Sequence, residues 1–258
     1  MNLTALQQMA ARGEKIAVLT CYDASFAALC EAAGVDVLLV GDSLGMVLQG
    51  GSDTLGVTMR DMEYHTRTTA TGAKNSYIVA DLPYGSDTTP ETALENARVL
   101  IAAGAHMVKL EGDKVAVVQL LVKNGIPVCA HLGFTPQYVH ELGGYKVQGR
   151  DEAGARKIME DAVALDQAGA AMVVLEMMPA ALAKQITEKV GMMTIGIGAG
   201  PDCDGQVLVL HDMLGIYLGK SPRFVRNFME GASSIQEAVQ HYVAAVKSDA
   251  FPTTEHSF

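Results

Sequence analysis

The sequence predicts a (β/α)₈ barrel, and three observations carry that prediction. Eight short β-rich runs recur along the chain. Most are near-continuous apolar stretches, as parallel strands covered on both faces should be. Segments with helical spacing lie between most of them, and several close on Gly directly before the next run, as a helix C-cap does. An open doubly wound sheet is the alternative, but it usually carries fewer units than eight.

In chain order, KIAVLTCYD (15–23) is the first strand and SFAALCEAAG (25–34) a helix that ends on its glycine. VDVLLVGDS (35–43) and SYIVADLPYG (76–85) are the second and third strands, each running straight into polar residues. TPETALENARVLIAAG (89–104) is helical, HMVKLEG (106–112) a strand, and KVAVVQLLVKNG (114–125) helical again. IPVCAHLG (126–133), the helix DEAGARKIMEDAVALDQAG (151–169) and the strand AAMVVLEMM (170–178) repeat the unit. MTIGIGAG (193–200) and QVLVLHDMLG (206–215) complete the eight strands. The joints EAAGVD, IAAGAH, KNGIP and DQAGAA are variants of one helix-to-strand turn. No composition shift or Pro/Ser-rich linker divides the chain, so residues 1–258 are expected to form a single domain. The tail SDAFPTTEHSF (248–258) reads as polar and peripheral.

Composition narrows the function. Of 258 residues 49% are hydrophobic and 19% charged, enough for a large core and unlike a disordered chain. A formal net charge of −10 argues against nucleic acid, whose phosphates need clustered Lys and Arg. MNLTALQQMAARGEK at the start lacks the apolar region of a signal peptide, and no run is long enough to span a membrane. Cys21, Cys30, Cys129 and Cys203 show no metal-ligand spacing and read as reduced structural thiols. The expected setting is the cytoplasm, with small-molecule partners and neither nucleic acid nor membrane.

In a barrel the C-terminal strand ends share one mouth, where barrel enzymes keep their chemistry. Here those ends supply Tyr22, Asp23, Asp42, Ser43, Asp81, Lys109, Glu111, His131, Glu176 and the stretch Gly196 to Gly200. Asp42, Asp81 and Glu111 come from three neighbouring strands. Converging carboxylates repel one another unless a cation is present, and an all-oxygen set suits Mg²⁺. The competing role for each acid is capping the helix that follows.

Lys109 lies two residues before Glu111, so both side chains share a face of the strand. It can form an imine with a carbonyl or pair with an anionic substrate, and acids beside it favour the second role. Glu176 follows an apolar run and precedes Met177, Met178 and Pro179, so desolvation should raise its pKa toward that of a general base. A helix N-terminal acid is its other reading. His131 is either a hydrogen-bonded core residue or a catalyst, and pattern alone leaves both open. GIGAG (196–200) is a weak match to a dinucleotide fingerprint, because PDCDGQ rather than a helix follows it. Close approach of a neighbour explains those glycines equally well.

The phrases GDSLGMVLQG (41–50), ADLPYGS (80–86), VKLEG (108–112), HLGFTPQ (131–137), GGYKVQGR (143–150), VVLEMMP (173–179) and IGIGAGPDCDGQVLVLHDMLG (195–215) resemble, in order, those of the ketopantoate hydroxymethyltransferase family. The likeness covers about residues 15 to 218. It departs at Asp113, where the family often has Gly, and at Met193, where a Pro often stands; neither is a candidate site residue. The resemblance implies a (β/α)₈ TIM barrel of the phosphoenolpyruvate/pyruvate type. It implies transfer of a hydroxymethyl group from 5,10-methylenetetrahydrofolate to 3-methyl-2-oxobutanoate, giving 2-dehydropantoate on the route to pantothenate and coenzyme A. By the same resemblance Asp42, Asp81 and Glu111 match Mg²⁺ ligands, while Asp42, Ser43, Asp81 and Lys109 match oxoacid-binding residues. Glu176 matches the base and His131 a further active-site residue. A homodecamer is implied as well. The nearest alternative is another Mg²⁺-dependent oxoacid C–C lyase or aldolase of the same barrel group, against which GGYKVQGR and HLGFTPQ weigh most.

Overall fold

The computed structural model describes residues 1–216 and 221–258. Its elements run α1 (Leu3–Ala11), β1 (Ile16–Thr20), α2 (Ala24–Ala32), β2 (Val37–Val40), α3 (Leu44–Val47), α4 (Met59–Gly72) and β3 (Tyr77–Asp81). Then come α5 (Pro90–Ala102), β4 (Met107–Lys109), α6 (Val115–Lys123), β5 (Val128–Gly133), α7 (Glu152–Gln167) and β6 (Met172–Glu176). The last are α8 (Ala180–Lys189), β7 (Met193–Ile197), β8 (Gly205–Leu208), α9 (Leu210–Met213) and α10 (Ile235–Lys247), with 3-10 turns at Pro136–Tyr138 and Thr254–His256.

The strands close in sequence order, every pair parallel, and β1 pairs with β8 to shut the barrel. The predicted fold class is therefore the observed one. Strands β1, β2, β3, β4, β7 and β8 are buried at every position, as their unbroken apolar runs require. Inside, Val18, Leu39, Val79, Cys129, Met172, Val174, Ile195 and Val207 fill the barrel floor beneath Lys109.

Local chemistry fixes the helix starts. Asp23 Oδ1 accepts from Phe26 N at 2.9 Å, Asp151 Oδ1 from Gly154 N at 2.9 Å, and Thr58 and Asp61 form a capping box at the head of α4. Thr89 caps α5, with Pro90 at the first helical position. No helix among the described residues is long and apolar enough to cross a membrane.

Two expectations need correction. The last run does not stay extended to residue 215: β8 stops at Leu208 and Leu210–Met213 turns helical. The tail is not peripheral either. Phe251 is 3% exposed and packs edge-to-face against Phe228 and Tyr242. The Phe258 carbonyl accepts from Ala180 N at 2.8 Å, which brings that ring to the barrel mouth. Polar TTEHS hid two aromatic anchors.

Candidate active site

A cavity of about 570 Å³ opens at the C-terminal mouth of the barrel, and all seven candidate residues line it: Asp42, Ser43, Asp81, Lys109, Glu111, His131 and Glu176. None of the four acids caps a helix, since the residues capping α3, α5, α6 and α8 are Ser43, Thr89, Lys114 and Pro179. Capping does hold for Asp23, which belongs to α2.

Lys109 and Asp81 sit opposite each other in the β3–β4 register, and Lys109 Nζ donates to Asp81 Oδ1 at 2.9 Å. Asp81 Oδ2 accepts from the backbone nitrogen of Asp42 at 3.0 Å, which fixes the start of the turn after β2. Burial alone would lower the Lys109 pKa, but the facing carboxylates of Asp81, Glu111 and Asp42 outweigh it and hold the ammonium charged. Asp42 is pushed well above the usual carboxylate range, first by burial and then by Asp81 and Glu111. Burial likewise pushes Glu111 up to about 7, against the pull of Lys109.

Gln137 ties this cluster together. Its backbone nitrogen donates to Glu111 Oε2 at 2.9 Å, and its side-chain Nε2 donates to Asp42 Oδ2 at 2.8 Å and to the Leu82 carbonyl at 3.0 Å. The 3-10 turn after β5 delivers it. Sequence reading assigned it no role: a neutral amide has no charge signature, although it ends the phrase HLGFTPQ.

His131 stands between two acids. Its Nδ1 is 3.3 Å from Glu111 Oε1 and its Nε2 3.1 Å from Glu176 Oε2. Neither contact has hydrogen-bond angles, so both ring nitrogens and Glu111 Oε1 are buried without a bonded partner. Burial, then the Lys109 charge, lowers the His131 pKa, which keeps the ring neutral near pH 7. Glu176 ends β6 with its side chain 13% exposed, and burial raises its pKa despite the nearby imidazole. The desolvation expected from MVVLE is therefore present. Gly133, paired with Glu176 in the β5–β6 register, has φ +90°, and a Cβ there would lie 2.2 Å from the Glu176 carbonyl oxygen. Glycine is required where the two strands meet so closely.

On the β1–β2 side the Tyr22 hydroxyl is 2.9 Å from Ser43 Oγ and orients it at the cavity wall. The GIGAG glycines serve close approach: a Cβ on Gly198 would lie 3.1 Å from both Phe224 and Phe258. A turn and β8 follow them, so the dinucleotide reading fails.

The donor set fits a hard cation. Asp42, Asp81 and Glu111 offer only oxygens, burial and then repulsion by the other two raise Asp42, and Glu111 Oε1 is orphaned. Among the described residues, however, no three acids, histidines or cysteines are already grouped as metal ligands. Lys109 occupies one oxygen of Asp81 and Gln137 one oxygen of Asp42. A bound cation would compete with these contacts for the same carboxylates.

Comparison with known proteins agrees with the likeness in the sequence. The family described as ketopantoate hydroxymethyltransferase matches residues 1–254. A 3-methyl-2-oxobutanoate hydroxymethyltransferase of Methylobacillus flagellatus is 64% identical, covering 100% of both chains. One from Azoarcus sp. is 60% identical over 100% of this chain and 97% of its own. Among solved structures, phosphoenolpyruvate phosphomutase from Streptomyces platensis subsp. rosaceus shares the fold with a TM-score of 0.63 at 14% identity, covering 84% of each chain.

Proposed function

From the premise that the chain belongs to the ketopantoate hydroxymethyltransferase family, we propose that its cavity joins a one-carbon unit to an oxoacid. The enzyme transfers a hydroxymethyl group to 3-methyl-2-oxobutanoate and forms 2-dehydropantoate, a step of pantothenate and coenzyme A synthesis. The donor in this reading is 5,10-methylenetetrahydrofolate and the metal is Mg²⁺, held by Asp42, Asp81 and Glu111. When bound, Mg²⁺ would supply Lewis-acid polarisation of the keto group and charge for the substrate carboxylate.

The chain's own residues do the rest. Lys109, kept protonated by the acids around it, offsets the negative charge that grows on the oxoacid oxygens. The same protonation disfavours an imine, which needs a free amine. Ser43, oriented by Tyr22, offers a hydroxyl to the substrate. Glu176 takes the C3 proton, and its raised pKa makes the carboxylate a stronger base than an exposed one. His131 is neutral and near both Glu176 and Glu111, so it can steady the base without competing for the proton. Apolar walls such as Leu39 and Val174 limit water around the carbanion.

The observation that carries this reading is that Glu176, raised by burial, lines one cavity with Lys109, Asp42, Asp81 and Glu111. Incubation with Mg²⁺, 3-methyl-2-oxobutanoate and 5,10-methylenetetrahydrofolate tests it. The expected result is 2-dehydropantoate, formed only when all three are present. Turnover of the oxoacid without folate would point to a lyase instead. The proposal extends to one barrel domain over residues 1–258, a homodecamer and a cytoplasmic setting, for which the four free buried cysteines are support.

A further inference from the structure

The cavity has a second end that none of these roles uses. Asp212, on α9, lines it beside Thr20, Val207 and Val209. This residue is 7% exposed, and its Oδ1 is buried with no hydrogen-bond partner among the described residues. Burial pushes the carboxyl up to about 6, with no cation to offset it. A buried carboxylate oxygen with no donor costs stability, so its presence in a cavity wall asks for a ligand that supplies donors.

Position limits what that ligand is. In a closed barrel of eight strands β8 lies opposite β4, so Asp212 is across the mouth from Lys109 and Glu111. Glu176, on β6, is midway between them around the rim. Among the described residues no second acid from β7, β8 or β1 lines the cavity, which disfavours a metal ion there. The walls at this end, Ile197, Val207, Val209, Phe224 and Phe258, are apolar and partly aromatic. The one cation beside them among the described residues, Arg223, lies over the Phe258 ring and donates to the Glu255 and Thr254 carbonyls. A flexible alkylammonium would leave them unused. A flat ring carrying two adjacent N–H donors on one edge uses both the walls and the acid.

A 2-amino-4-oxopteridine has such an edge, in its N3–H and 2-amino group. Two parallel N–H donors match the two oxygens of a carboxylate as a guanidinium does. We propose that Asp212 is a binding residue for the pterin edge of the one-carbon donor, accepting from N3–H and the 2-amino group. This rests on the folate reading given above and adds where the donor sits. The pterin then occupies the β8 side and the oxoacid the β2–β4 side, with the one-carbon unit carried between them.

The test is anaerobic calorimetry with tetrahydrofolate and with its analogue lacking the 2-amino group. Wild-type protein should bind tetrahydrofolate at least tenfold more tightly than the analogue. Asp212→Asn should weaken tetrahydrofolate at least tenfold and bind the two compounds alike, with melting curves reporting its fold. Equal binding of the two compounds by wild-type protein, or unchanged tetrahydrofolate affinity in Asp212→Asn, overturns the assignment alone. The wild-type comparison decides the matter even if the variant does not fold. Absence of tetrahydrofolate binding by wild-type protein overturns both this assignment and the folate reading.

Discussion

Lys109 and Asp81 form an ion pair of 2.9 Å with side chains only 5% and 3% exposed, at opposite positions of β4 and β3. Removing one member of such a pair leaves an uncompensated buried charge, at a cost of about 3–5 kcal/mol. Lys109→Met should therefore lower the melting midpoint sharply as well as remove activity. Borohydride with wild-type protein and the oxoacid should leave no covalent adduct, and mass spectrometry would reveal one if Lys109 formed an imine.

Glu111→Gln addresses the metal. Because burial and the neighbouring acids already oppose the charge of Glu111, the neutral isostere should not lower stability in metal-free buffer. Affinity for Mg²⁺, measured by calorimetry, should fall at least tenfold. Unchanged Mg²⁺ affinity would remove Glu111 from the ligand set.

Gln137→Leu separates two contacts made by one residue. The backbone bond to Glu111 survives the substitution, whereas the amide bonds to Asp42 and Leu82 are lost. Asp42 Oδ2 then has no donor, so the expected effect is a loss of about 1–3 kcal/mol in stability and weaker Mg²⁺ binding. Gln137→Glu should be worse than Leu in activity, since it brings a further negative charge to Asp42.

Glu176→Gln keeps the shape of the side chain and removes the proton acceptor. Product formation and folate-independent exchange of the C3 hydrogen with deuterated water should fail together, as followed by NMR with Mg²⁺ and no folate. Exchange near the wild-type rate would move the base to another mouth residue such as His131.

Asp212 gives a pH signature. Its carboxyl has a folded pKa of about 6 against an ordinary value of 3.8, so between these limits the folded state binds the proton that the unfolded state has released. Stability therefore falls as pH rises from about 4 to 6, by on the order of 3 kcal/mol for a shift of this size. The loss is complete above pH 6. Asp212→Asn should melt higher than wild type at pH 8, and that advantage should disappear as pH falls toward 4.

Strands were legible because each is a short apolar run buried on both faces, and the acids that follow them stood out against those runs. VLLV leading to Asp42 and MVVLE ending at Glu176 are the clearest cases. What escaped was polar or distant. The α4 helix, MRDMEYHTRTTATG, buries only Met62, Thr66 and Thr69, so its apolar stripe is too thin to read. Gln137 meets Asp42 across 95 residues of sequence, a link no local pattern carries. Asp212 follows an apolar run like the other acids, but QVLVLHDMLG reads as one strand, with the acid inside it, whereas Leu210–Met213 is helical. His131 lines the cavity, while its lowered pKa depends on burial and on Lys109, neither visible from its neighbours in the chain.

Tyr242 of α10 has its hydroxyl 2.9 Å from the carbonyl oxygens of both Val18 and Gln206, one on each side of the β1–β8 seam. The first strand thus waits for partners nearly two hundred positions downstream, and its clasp comes later still. During synthesis the ribosome releases seven strands with no way to close the circle. Contacts of such high sequence separation slow folding, because the chain entropy lost in the loop precedes any reward. Until β8 emerges, the growing chain exposes β1 as an open edge to whatever strand it meets first. The clasp that holds the mature barrel shut is thus among the last contacts the emerging chain can make.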